Sequence, residues 1–217
     1  HRPLCLAAGL TQLADALHTR LALDPVLSPL VQALIASPDA ETSALAMTFL
    51  AAQARFVQAQ RRMKLPLAEL PGDLFAESLD ALAGLPGISD TMASAAATSL
   101  RSRYDEGRSR LGLTARLVTG MGGGAIAALS LSHAGVAIFL TALGIGSSQS
   151  REAVALSTSE TQLARLALAL RAAGMKPETV AEQFLALHPE IELPEGFDRI
   201  GADRAAAILA QTGLSGA

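Results

Sequence analysis

The chain has 217 residues, of which half are hydrophobic and only 3% aromatic, with a formal net charge of −3. It contains 44 Ala and 37 Leu; these residues favour helices, whereas strands favour β-branched and aromatic residues. The composition therefore predicts an all-α protein and excludes a disordered chain. The negative net charge argues against nucleic-acid binding. A single cysteine, Cys5, excludes a disulfide framework and a thiolate metal cage, and we expect a cytoplasmic protein.

The first quarter of the chain predicts a helix over residues 4–20 and a long helix ending near Lys64. Within the long helix, apolar residues recur at spacings of three and four, as on one face of a helix. They are Leu45, Phe49, Ala52, Phe56, Ala59 and Met63. Three pairs place a capping residue before a proline, which is typical of a helix start: Asp24-Pro25, Ser28-Pro29 and Ser37-Pro38.

The middle of the chain predicts a helix over residues 73–83 that ends at Gly84. A second long helix is then predicted from Ser89 to Leu111, because apolar or small residues keep the same spacing throughout. They are Ala93, Ala97, Leu100, Tyr104, Gly107 and Leu111.

Residues 117–150 contain no charged side chain, and His133 is their only titratable group. A stretch of this kind lies in a bilayer or in a protein core. Polar groups such as Ser132 and His133 are costly in hydrocarbon, and the glycines at both ends shorten any spanning helix. With Ser132 as an N-cap, the stretch becomes two short helices, and we predict a buried helical hairpin. Membrane association through residues 120–146 is the alternative.

The last third predicts a helix opened by a Ser157/Glu160 capping box and ended by Gly174, then one opened by Pro177. A last helix spans about 202–211. The whole chain thus predicts about nine to ten helices in stacked antiparallel hairpins, a HEAT-like or α-solenoid-like bundle. We predict a single domain over residues 1–217, within which 1–87 and 88–217 could form subdomains.

Gly120 to Ala125 have the spacing of a dinucleotide-binding glycine loop. No strand precedes them and no acidic residue lies about 20 positions downstream, so a turn with close helix packing is the preferred interpretation. The alternative is a small anion held by the amides of Gly122, Gly123 and Gly124. No cofactor is expected.

Two histidines and one charged run are the other candidate site residues. His133 and His18 could each bind a ligand or accept a phosphoryl group, but their neighbours do not fit a phosphotransfer motif, and a structural role is preferred. A run of arginines around one tyrosine could grip a phosphate or an acidic partner, with a solvated helix face preferred. Its members are Arg101, Arg103, Tyr104, Arg108 and Arg110. No metal site and no catalytic residues are predicted.

Five segments together resemble a family of uncharacterised alphaproteobacterial proteins with a domain of unknown function, best represented in sphingomonads. The resemblance covers roughly residues 10–200 and implies a soluble HEAT-like protein of the bacterial cytoplasm. It implies no activity and no catalytic residues. The segments are AAQARF (51–56), QRRMKLPLAELP (60–71), YDEG (104–107), HAGV (133–136) and ETQLARLALALR (160–171).

From the long apolar faces and the scarce charge, we predict a non-enzymatic helical scaffold that binds another protein or itself. Two alternatives stay open: a membrane-associated protein using residues 120–146, and a phosphorelay or small-ligand protein using His133 or His18.

Overall fold

A computed structural model describes residues 15–84, 86–193 and 196–213 of the chain. In these ranges no residue lies in a β-strand, which confirms the predicted all-α class, and the helices agree roughly with the predicted number. Helix α1 covers residues 15–20. The others are α2 Pro29–Ile35, α3 Ala40–Arg61, α4 Gly72–Ala83, α5 Asp90–Arg101, α6 Arg110–Gly120, α7 Leu131–Ala134, α8 Val136–Ser147, α9 Arg151–Ser157, α10 Leu163–Ala172, α11 Pro177–Leu187 and α12 Ala202–Gly213.

One of the three predicted capping pairs opens a helix as expected. The Ser28 hydroxyl accepts from the Val31 amide at 3.4 Å, with Pro29 as the first residue of α2. The prediction at Asp24 is wrong, because its carboxylate accepts from two following amides and makes a turn. Helix α3 starts two residues later than predicted, after Asp39, whose carboxylate caps it at 2.9 Å. It also ends earlier, so Met63 is 96% exposed.

The predicted long helix from Ser89 to Leu111 is wrong, since the chain breaks into α5 and α6. The Asp105 carboxylate accepts from the Gly107 amide at 2.9 Å, and the Ser109 hydroxyl accepts from the Gly112 amide at 3.1 Å. Side chains of this kind offer amides a partner outside the helix and so compete with it. The break makes Arg110 the first residue of α6.

The predicted capping box at Ser157 is also wrong. Ser157 is the last residue of α9, and its hydroxyl donates to the Val154 carbonyl. The helix boundaries predicted after Ser157 are confirmed. Gly174 has φ +89° and follows the end of α10, and α11 begins at Pro177 and ends before His188.

The charge-free stretch forms a 3₁₀ segment, Gly122–Leu129, followed by α7 and α8. The predicted split into short helices is confirmed, but the break is not at Ser132. It lies at Gly135, where φ is +77°, in the left-handed region that favours glycine. Within the described ranges, no helix has both the length and the apolarity needed to cross a membrane.

Helix α8 lies at the centre of the core and packs against α6, α7, α9 and α10. Helix α3 packs on α2 and α6, and α10 packs on α12. Solenoid repeats contact mainly their sequence neighbours, so these packings do not confirm a HEAT-like stack, which stays a prediction. A second cluster joins α4 to α5 through Phe75, Leu79 and Ala97, and the predicted subdomain boundary falls in this hairpin. The largest fully buried core side chains include Phe49, Phe139, Leu131, Ile138, Leu143, Leu166 and Leu170.

Candidate functional site

A cavity of about 480 Å³ lies between α1, α3, α6 and the first turn of α8. Its volume falls in the range of small-molecule sites in proteins. Asp15, the first described residue, is part of its wall. Most of the lining is apolar, so the cavity suits a ligand with a hydrocarbon body. The apolar lining includes Val31, Phe49, Phe56, Val57, Leu111, Val136, Ile138 and Leu140.

Helix α3 contributes a stripe of three residues to the cavity wall. Phe49, Gln53 and Phe56 follow one another at spacings of four and three, which places them on one face of the helix. Gln53 is only 7% exposed, and its Nε2 donates to the Pro25 carbonyl at 2.7 Å. Its Oε1 is buried and has no hydrogen-bond partner. Buried polar atoms are nearly always paired, so this oxygen is an exception among the buried polar atoms.

Arg110 brings a cation to the same wall. Its guanidinium carbon lies 4.0 Å from the centroid of the Phe56 ring, a cation–π contact. The residue is half-buried, and its Nε is buried and has no hydrogen-bond partner. The Glu69 carboxylate accepts from the Arg110 backbone amide at 2.8 Å and so caps α6 through the backbone.

The electrostatic surroundings of Arg110 leave its charge poorly compensated. Burial lowers the pKa of Arg110 to about 10; the charge of Glu69 opposes this shift and the nearby cation of Arg151 adds to it. At neutral pH the group therefore stays protonated beside a second cation. Arg151, the first residue of α9, also lines the cavity.

The N-terminus of α8 adds positive potential to the cavity lining. Gly135 is at the cap position, no side chain caps the helix, and residues 134–138 line the cavity. The first amides of a helix have no acceptor inside the helix, and the helix dipole favours negative charge there. Arg110, Arg151 and this helix end thus act with one sign.

The opposite end of the cavity, at α1, is acidic. Asp15 and Asp24 are exposed at its rim, and His18 is half-buried beside them. Burial lowers the pKa of His18, while both aspartates oppose that shift. The charges that act on Arg110 are instead those of Glu69 and Arg151. The cavity lining thus holds cations on α6 and α9 and carboxylates at Asp15 and Asp24.

The predicted glycine site lies elsewhere. Gly122, Gly123 and Gly124 are exposed, and the first two line a separate groove with Ile126 and Ile145. No charged side chain belongs to the lining of that groove, and an anion held by the glycine amides stays a prediction. No group of three or more His, Cys, Asp or Glu side chains within the described ranges could hold a metal ion.

The other predicted residues are also spread over the molecule. His133 is half-buried in α7, outside the cavity lining, whereas His18 lies in it. Tyr104 stacks on Phe75 with ring centroids 4.0 Å apart, and its hydroxyl donates to the Leu70 carbonyl at 2.8 Å. It is thus part of the α4–α5 packing. Three arginines of the charged run are exposed and do not line the cavity, Arg101, Arg103 and Arg108, whereas the fourth, Arg110, does.

His18 is half-buried and His188 is buried, and we expect both to make the stability of the protein depend on pH. Burial is the main cause that lowers the pKa of both His18 and His188. Below the ordinary histidine pKa of about 6.5, the unfolded chain binds more protons than the folded protein, so stability falls with falling pH. Asp24 and Asp39 have lowered pKa values and lose their contribution only at more acidic pH.

Thermal melting should therefore show a lower Tm at about pH 5.5 than at about pH 7.5. The variants His18→Gln and His188→Gln should each have a smaller difference between the two conditions. A Tm that rises on acidification over this interval would contradict the predicted sign.

No family model, no curated protein and no solved structure matches the chain. The resemblance to the alphaproteobacterial family thus stays a prediction, and any conclusion on function rests on the geometry of the cavity.

Proposed function

We propose that this protein binds a small organic anion with an apolar body in the cavity between α3 and α8. The observation that carries the proposal is the pair of cations Arg110 and Arg151, which line one mostly apolar cavity and interact with each other. Burial disfavours the charge of Arg110, and Glu69 offsets this effect in part. An anion at this end would accept hydrogen bonds from the guanidinium and reduce the repulsion between the two arginines.

The rest of the cavity supports the apolar part of the ligand. Phe49, Leu111 and Ile138 line it, and burying hydrocarbon against such side chains contributes about 25 cal/mol per Å² of apolar surface. The acidic rim at Asp15 and Asp24 would repel the anionic group from the α1 end. A carboxylate with an alkyl chain therefore fits in one direction, with its charged group at Arg110.

The cationic part of the site, at Arg110, supports binding rather than proton-transfer chemistry. A guanidinium with a pKa of about 10 and helix amides hold an anion without exchanging protons with it near neutral pH. We therefore propose a non-enzymatic role, such as carriage or sensing of the ligand.

Isothermal titration calorimetry with octanoate and octanol tests this function, because the two compounds share a chain and differ in charge. We expect one octanoate per protein molecule and an affinity at least about tenfold above that of octanol, equal to about 1.4 kcal/mol. Bound octanoate should also raise Tm, since ligands that bind only the folded state stabilise it. Absent octanoate binding, or equal affinities for the two compounds, would contradict the proposal.

Protein binding, the first prediction from the sequence, is a second candidate. It is favoured by the exposed side chains of Ile126 and Ile145, which are 59% and 48% accessible and line the groove beside Gly122. Self-association is the form most easily measured. Light scattering should then show a mass that rises with concentration and returns to the monomer mass in Ile145→Ser. A constant monomer mass of the wild type would exclude this form.

A further inference from the structure

The basic turn that follows α3, residues 61–67, carries an inference about a docking surface, which does not depend on the ligand of the cavity. Its sequence is Arg-Arg-Met-Lys-Leu-Pro-Leu. We infer that this turn docks the protein on a bilayer that contains anionic phospholipids. Its cations contact the headgroups, and its methionine and leucines enter the boundary between headgroups and acyl chains.

The large hydrophobic side chains of the basic turn are exposed. Met63 is 96% accessible, Leu65 53% and Leu67 36%. In the part of the chain that the structure describes, nine large hydrophobic side chains are exposed, and these three lie within five residues of one another. Single exposed hydrophobic side chains are ordinary, whereas a cluster of them marks an interaction site.

The backbone holds Met63 in a conformation that favours glycine. Its φ is +54°, in the left-handed region. The Met63 amide donates to the Gln60 carbonyl at 2.8 Å, and the Lys64 amide donates to the Ala59 carbonyl at 2.9 Å. This pair of hydrogen bonds ends a helix with a left-handed residue that is usually glycine. A methionine that is strained there and almost wholly exposed adds nothing to the core, and such residues are typical of functional sites.

Cations flank the exposed hydrophobic side chains. Arg61, Arg62 and Lys64 are all exposed. Residues 42–68 contain four cations and no acidic side chain, although the whole chain has a net charge of −3. Exposed cations beside apolar side chains are typical of segments that lie in the membrane interface. The local positive charge is therefore complementary to an anionic lipid surface.

A lipid surface fits the basic turn better than a nucleic acid does. Residues 57–74 contain no aromatic side chain that could stack on a base. Contacts of the cations with the phosphates of a duplex would leave Met63 and Leu65 in water. A bilayer interface accepts both the cations and the hydrophobic side chains.

Co-sedimentation with sucrose-loaded vesicles tests the inference on the wild-type protein. One vesicle consists of phosphatidylcholine, and the other adds phosphatidylglycerol in a ratio of about two to one. We expect binding to the mixed vesicle to be at least about tenfold stronger, and to weaken as salt screens the surface charge. Equal binding to both vesicles, or no binding to the mixed one, would overturn the inference. So would a protein that binds a DNA duplex but no vesicle.

Two double variants separate the contributions of charge and insertion. Arg62→Gln with Lys64→Gln should lower partitioning onto the mixed vesicle about 25-fold, since each cation near the surface contributes about fivefold. Met63→Ser with Leu65→Ser should lower it at least about tenfold, because two hydrophobic side chains no longer leave water. Arg61 stays unchanged in both variants, since it also lines the cavity.

Two further double variants are the matched controls. Arg199→Gln with Arg204→Gln removes the same charge from exposed positions before and within α12. Leu156→Ser with Leu185→Ser removes two exposed leucines from α9 and α11. Both controls should partition like the wild type. Wild-type partitioning of either variant of the basic turn, or an equal loss in that variant and its control, would contradict docking through residues 61–67.

Discussion

Replacing Arg110 with methionine is expected to weaken octanoate binding by about 100-fold, equal to about 2.7 kcal/mol. Hydrogen bonds to charged groups contribute roughly 1.5–3 kcal/mol each, and the guanidinium can supply two to one carboxylate. The remaining attraction from Arg151 and the start of α8 is not expected to compensate, because neither replaces the paired donors of Arg110. Titration calorimetry of the variant with octanoate measures the loss directly.

The same variant is expected to remain folded. Methionine removes a cation whose burial lowers its pKa to about 10, and this relieves a desolvation cost. It also removes the contact with Phe56, which contributes about 0.5–2 kcal/mol. The relieved desolvation cost and the lost contact with Phe56 act in opposite directions. The free energy of unfolding in urea should therefore change by no more than about 1 kcal/mol. A loss above about 3 kcal/mol would show that Arg110 is required for the fold rather than for ligand binding.

Arg108→Met is the matched control for this prediction. Arg108 lies two residues before Arg110 and is exposed in the turn between α5 and α6. The substitution changes the net charge by the same amount without touching the cavity lining. Its octanoate affinity and its stability should equal those of the wild type, within about 0.5 kcal/mol. An equal loss of affinity in both variants would indicate a general charge effect and contradict a localised site.

The parts of the fold that the sequence predicts well are those set by local chemistry. Ser28 followed by proline starts α2, and Gly84 and Gly174 follow the ends of α4 and α10. The helix from Ser89 to Leu111 is the main error. Its apolar spacing is real, but Asp105 and Ser109 bind nearby amides with their side chains. Where apolar spacing favours one long helix and capping side chains favour a break in it, the sequence alone does not determine which of the two effects is stronger.

The candidate site is less predictable because it is assembled from helices far apart in the chain. Gln53, Arg110 and Gly135 are separated by more than a helix each, and only the packing of α3, α6 and α8 brings them to one cavity. One signal is present in the sequence: Gln53 stands between Phe49 and Phe56 on an otherwise apolar face. Arg110 belongs to the predicted charged run, but the four arginines of that run look alike in the sequence, and only the turn at Ser109 places Arg110 in the cavity lining.

Replacing Gly112 with alanine is expected to reduce the free energy of unfolding by about 3 kcal/mol, the cost of forcing extra atoms into a packed site. A Cβ at this position would lie 2.2 Å from the Glu106 carbonyl oxygen and 2.8 Å from the Gly107 Cα. Both are backbone atoms, and the turn that holds them is fixed by the hydrogen bonds of Asp105 and Ser109. The turn must therefore move. Urea unfolding measures the loss.

Gly120→Ala is the control, because Gly120 belongs to the same helix and a Cβ there would meet no atom within 4 Å. Alanine is the better helix former, so this variant should gain about 0.5–1 kcal/mol. The pair also connects the fold to the site. The turn before Gly112 positions Arg110, so the folded fraction of Gly112→Ala should bind octanoate more weakly, whereas Gly120→Ala should bind it normally. Equal stability of the two variants would contradict the close packing of this turn against α6.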